Sequence, residues 1–189
     1  MKLILLLILS ALPLYAQIGE KIVAAAAKQI GITTAYRPEY VALEYPNGDV
    51  LPDGGVCTDV VIRALRASIA QDLQKLVHED MRKHFSAYPK NWGLSRPDKN
   101  IDHRRVPNLR TFFKRMGYEQ PLPKADDFSN FQPGDLITCT IAKSLPHIMI
   151  VSTRKNPDGR PLIIHNIGSG TKEEDALSSF PITGHYRWK

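Results

Sequence analysis

Apolar residues at Ile18, Ile22, Val23, Ala26, Ala27 and Ile30 recur every three or four positions, which predicts an amphipathic helix ending at Gly31. Residues 33–56 lose that period and gain Pro38, Pro46, Gly48, Pro52, Gly54 and Gly55, the marks of a turn-rich loop. The helical period returns at Cys57, with Val60, Val61, Ala64, Leu65 and Ile69 spaced for a buried helix. Leu73, Leu76 and Val77 carry a second helical run, continued by Met81 and Phe85. Residues 86–107 are polar and broken by Pro89, Pro97 and Pro107. Leu109, Phe112, Phe113 and Met116 then mark a short helix closed by Gly117.

The last third reads as sheet. Strands are predicted over Asp135–Thr140 after the turn Pro133–Gly134, over His147–Val151, and over Pro161–His165 after the turn Asn156–Gly159. Gly184–Trp188 is a fourth candidate. The short connections favour antiparallel pairing. Helices first and sheet second make an α+β domain, expected over residues 17–189. No internal repeat or low-complexity tract is present.

The first residues follow another rule. Met1 and Lys2 lead into an apolar run from Leu3 to Leu14, followed by Leu14-Tyr15-Ala16. A charged start, a short apolar core and a small residue before the cut are the layout of a secretory signal peptide, with cleavage expected after Ala16. The run is shorter than the about 20 residues that span a bilayer, so no membrane span is expected to remain after cleavage. The expected location is the periplasm or the exterior of the cell.

With 43% apolar and 23% charged residues among 189, the chain has the composition of an ordinary globular protein. Its net charge of +6 comes without any run of five basic residues, so nucleic acid is not an expected partner. The only cysteines are Cys57 and Cys139, with no C-x-x-C to suggest zinc or redox work. An oxidising compartment permits them to pair. The expectation is instead that Cys139, inside a strand, serves as a small buried hydrophobe.

Cys57 follows Gly54-Gly55-Val56 and opens a helix. A helix N-terminus offers partial positive charge and unpaired N–H groups, which would stabilise a thiolate and bind an oxyanion. The preceding glycines would let substrate approach the backbone. Asp59, in the first turn, reads as a structural residue. His147 opens an apolar strand, where an imidazole can serve a helix-borne thiol. His165 ends the next strand and could hold the tautomer of His147; Asn166 could do so through its amide oxygen. Alternation puts these two on opposite faces, so at most one serves.

The segments Gly54–Asp59, Gln132–Leu136, Pro146–Val151 and Ile163–Asn166 follow one another in an order that resembles the NlpC-type cell-wall hydrolases of the papain-like superfamily. The segments Leu76–Met81, Asn100–Leu109 and Ile182–Arg187 fit more closely a bacterial family known as domain of unknown function 1287. The resemblance implies a papain-like fold, with the nucleophile at a helix start packed on an antiparallel sheet. It also implies Cys57 as nucleophile, His147 as base and His165 as the orienting residue. Papain-like cell-wall enzymes often place a tyrosine hydroxyl in the site, upstream of the cysteine; Tyr45 is the candidate, with Tyr40 behind it. The implied substrate is an amide bond of peptidoglycan, cleaved without a cofactor.

Residues 71–130 are longer than the usual cysteine-to-sheet connection of the broad family. Within them His103, Arg104 and Arg105, beside Asp102, could bind carboxylates of a cell-wall peptide or form a structural ion-pair knot. Two other classes of function stay open on the sequence. One is a His/His/Cys metal site built from His147, His165 and Cys57. The other is a non-catalytic module that binds cell-wall peptides on the same fold.

Overall fold

The computed structural model describes residues 16–124, 127–142 and 144–189. The expected leader therefore lies, but for Ala16, outside the described residues. No helix of the described residues is long and apolar enough to cross a membrane.

Among the described residues four α-helices precede the main sheet: α1 (16–27), α2 (Cys57–Ile69), α3 (Leu73–His84) and α4 (Val106–Arg115). Each follows from its local sequence. The first stops at residue 27 and continues as turns through residue 32, short of the predicted end. In α2 the apolar positions Val60, Val61, Ala64 and Leu65 are all buried. Asp59 accepts the Val56 N–H at 2.7 Å and so satisfies a donor that the helix leaves orphaned. Asp72 caps α3 by accepting from the Gln74 N–H at 3.2 Å, and Arg82, Lys83 and His84 suit its negative end. Pro107 sits in the first turn of α4, where no N–H is needed.

The described strands are, in chain order, β1 (Ala35–Tyr36), β2 (Gly54–Gly55), β3 (Leu136–Ile141), β4 (Leu145–Lys155), β5 (Pro161–Asn166), β6 (Thr171–Glu174) and β7 (Ile182–Tyr186). The first two pair in parallel as a separate ribbon beside α2. The other five form an antiparallel sheet in the order β6-β5-β4-β3-β7. The α+β class and the antiparallel sheet match the reading of the sequence.

Both faces of this sheet are covered, which explains why β4 reads as a continuous apolar run rather than an alternating one. Leu136, Ile148, Ile150 and Ile164 pack with the helices in one cluster. Ile137, Cys139, Met149, Val151 and Ile163 pack on the other side with Phe131 and Leu177. Cys139 is thus the small buried hydrophobe expected of it, and both cysteines are free thiols.

Candidate active site

Cys57 begins α2 at the floor of a cleft of about 550 Å³, whose walls include Tyr36, Trp92, Arg105 and Pro146. Only 4% of the residue is exposed, so the sulfur is reached through this cleft or not at all. The backbone N–H groups of Ile148, Thr58 and Cys57 itself face the sulfur. Cys57 packs with Ile148, Ile150 and Ile164 on the helix side of the sheet, whereas alternation along β4 and β5 turns His147 and His165 toward the side of Met149 and Ile163, and neither histidine borders the cleft. Asn166 fastens this corner, donating from Nδ2 to the Ala35 carbonyl at 3.1 Å and the Gly55 carbonyl at 3.0 Å. Its amide is consumed in holding the β1–β2 ribbon to the end of β5, and its Oδ1 accepts the Gly168 N–H at 3.2 Å, so Asn166 is spent on structure and neither orients His147 nor serves a substrate.

The expectation of a resting thiolate is corrected. Burial pushes the Cys57 thiol up to about 11; the three N–H groups oppose this, and Asp59 nearby adds to it. Desolvation therefore outweighs the helix terminus, and at neutral pH the group is a thiol. The glycines are also read differently. Gly54 and Gly55 are buried, and neither borders the cleft. A Cβ on Gly55, at φ +156°, would stand 2.9 Å from Asp59 Oδ2. These glycines admit the protein's own side chains, not substrate.

His147 Nε2 lies 2.8 Å from His165 Nδ1, and both rings are buried. His165 Nε2 lies 3.3 Å from Glu174 Oε2. An ionised carboxylate only accepts, so His165 donates from Nε2 and accepts at Nδ1. His147 then donates from Nε2 and carries its lone pair on Nδ1. This tautomer is assigned from the partners. Burial, reinforced by the neighbouring His165, brings His147 down to about 3, and burial likewise lowers His165 against the pull of Glu174. Sulfur and imidazole are thus both neutral at rest.

The residues between 98 and 105 divide sharply. Arg104 is the knot: its guanidinium grips both oxygens of Asp59 at 2.9 Å and bonds the carbonyls of Arg37 and Glu39 at 3.2 Å. With side-chain exposures of 2% and 3%, this pair is fixed in the interior. His103 is corrected from a binding residue to a core one; it is buried away from the cleft, and burial brings it down to about 3. Arg105 alone of the three presents an available guanidinium to the cleft. Asp102 holds its Nη1 at 3.1 Å and the Trp92 ring lies 4.0 Å beneath it.

Tyr45 is likewise corrected. It stacks edge-on with His78, ring centroids 5.3 Å apart, and does not border the cleft. Nor does Tyr40, whose hydroxyl donates to Asp98 at 3.1 Å. The tyrosine beside Cys57 is Tyr36, on β1, its phenol pushed up to about 12 by burial and by the Cys57 and Asp59 charges. Tyr36 and Glu174 are the residues that the sequence reading missed. Tyr36 had one signal, its position upstream of the cysteine; Glu174 had none.

Among the described residues no group of three or more His, Cys, Asp or Glu side chains is placed to hold a metal ion.

The fold is similar to that of a solved N-acetylmuramoyl-L-alanine amidase from Bacteroides uniformis ATCC 8492, with a TM-score of 0.57 over 92% of this chain and 100% of that one, at 15% identity. In sequence the chain is 53% identical over 163 residues to the uncharacterized protein YijF of Escherichia coli K12, covering 86% of this chain and 78% of that protein. The family model described as domain of unknown function, DUF1287, matches residues 23–188, and the chain belongs to that family.

Proposed function

We propose that this protein is an exported, papain-like cysteine hydrolase of the NlpC type that cleaves an amide bond in peptidoglycan. The observation that carries the reading is the relay from His147 Nε2 to His165 Nδ1 and on to Glu174, at 2.8 and 3.3 Å. It leaves the His147 Nδ1 lone pair without a partner among the described residues, one residue along β4 from the Ile148 N–H that faces the Cys57 sulfur. The fold shared with an amidase, and the apolar leader of the sequence, support a substrate outside the cytoplasm.

In this reading the Cys57 thiol gives its proton to His147 Nδ1 as the sulfur bonds to the amide carbonyl carbon. The Cys57 N–H donates to the oxyanion that forms. The His147 imidazolium then returns the proton to the amide nitrogen, the C–N bond breaks, and the amine leaves. Water, deprotonated by the same nitrogen, hydrolyses the thioester to a carboxylate and restores the thiol. His165 and Glu174 hold the ring and share the positive charge while it lasts. A proton shared within the pair suits a site too dry to hold a lone thiolate.

Digestion of purified sacculi tests this. The wild type is expected to release muropeptides with new carboxyl and amino ends, identified by mass, and Cys57→Ala and His147→Ala to release none. Identical products from all three, or none from the wild type, would overturn the proposal.

A further inference from the structure

Arg104 and Arg105 both border the cleft, and among the described residues no aspartate or glutamate side chain does. Each arginine has a carboxylate, but on its inner side: Asp59 behind Arg104 and Asp102 behind Arg105, both buried. Arg104 spends its donors on protein oxygens. Arg105 is built differently. Asp102 takes one nitrogen, Nη1, and is itself fixed by the Asp98 N–H at 2.6 Å and by Asn108. Trp92 covers one face of the guanidinium. The fork is thus held from behind and below, with 17% of the side chain exposed and, among the described residues, no other oxygen bonded to Nε or Nη2. Val106 and Pro107, the first turn of α4, line the same wall and add the positive end of a helix to the same sign.

We infer that Arg105, braced by Asp102 and Trp92, binds a free carboxylate of the substrate, so that the cleft selects an acidic peptide over the same peptide carrying a carboxamide. A preorganised guanidinium matches a carboxylate through two parallel N–H donors, and a fork already ordered by its neighbours loses little entropy on binding. A neutral amide offers one acceptor and no charge. A wall without carboxylates also gives a free amino group no partner, so recognition through a substrate ammonium is disfavoured. The inference rests on the hydrolase reading for the identity of the peptide. In a peptidoglycan stem the carboxylate is the free α-carboxyl of a γ-linked glutamate.

The test uses a matched pair of probes, N-acetylmuramoyl-L-alanyl-D-glutamate γ-methylamide, whose only carboxylate is the α one, and its α-carboxamide, titrated by calorimetry into the mature Cys57→Ala protein, where no hydrolysis intervenes. The acid is expected to bind about tenfold or more tighter than the amide, the loss of one charged contact. Added Arg105→Gln is expected to erase the difference, and Arg105→Lys to restore part of it. The comparison of probes on unsubstituted Arg105 needs no folding control. Equal binding of acid and amide, binding of neither, or a preference that survives Arg105→Gln would overturn the inference. If wild type digests sacculi while the probes bind equally, the carboxylate site fails and the hydrolase stands. If sacculi stay intact while the acid is preferred, the carboxylate site stands and the hydrolase fails.

Discussion

His147 owes its orientation to His165, and His165 owes its own to a carboxylate on the edge strand of the sheet. Glu174 is 38% exposed, so its charge is screened and its main contribution is to accept one proton from His165 Nε2. Losing that acceptor frees the His165 tautomer and with it the lone pair of His147 Nδ1. A single hydrogen bond of this kind contributes up to about 1.5 kcal/mol, or about tenfold in rate. Glu174→Ala is therefore expected to lower kcat about tenfold with KM unchanged. Glu174→Gln, whose amide oxygen accepts the same proton, should keep most of the rate. Steady-state kinetics on a defined muropeptide separates the two. A change confined to KM would assign Glu174 to substrate contact instead.

Among the elements, α2 carries Cys57, the proposed nucleophile, and the buried Asp59–Arg104 ion pair locks its first turn to the segment before α4. Removing one partner strands the other in the interior, at a cost of about 3–5 kcal/mol. Asp59→Ala and Arg104→Ala are each expected to lower stability to chemical denaturation by that amount, and the double variant by less than their sum. Additive losses would show that the pair is not coupled. The same elements show which parts of the chain can be read in advance. The period of α2, the apolar run of β4 and the turn before β5 mark in the sequence the elements that carry Cys57, His147 and His165, because each has a strong pattern. The edge strand β6 escaped notice because Thr171–Glu174 is polar throughout, and with it Glu174. β1 and β2 hold two residues each and owe their pairing to a loop that returns from Tyr36 to Gly54; no local period marks such a contact. That is why the sequence points to Tyr45, with Tyr40 behind it, and gives no local sign of Tyr36. The protonation of Cys57 was misjudged for another reason: a helix start is visible in a sequence, but the depth of burial that outweighs it is not.

For the whole molecule, buried neutral histidines set the response to acid. His147 and His103 are each brought from 6.5 down to about 3 by burial. Above pH 6.5 neither state binds these protons and stability is unaffected. Below it the unfolded chain takes protons that the native fold refuses, so stability falls by about 1.4 kcal/mol per pH unit for each histidine until about pH 3. Denaturant titrations between pH 7 and 4 are expected to show this decline, and His103→Gln to make it shallower. A flat profile would mean that both rings charge within the fold. The central claim, that the Cys57 sulfur opens to the cleft as an activatable thiol, is tested most directly by iodoacetamide. The rate of alkylation at each cysteine is read by peptide mapping on the native protein. Cys57 is expected to be modified far faster than Cys139, whose thiol burial pushes up to about 12, and its rate to rise about tenfold per pH unit toward pH 11. Equal, slow modification of both cysteines, as from a sealed interior, would contradict the account.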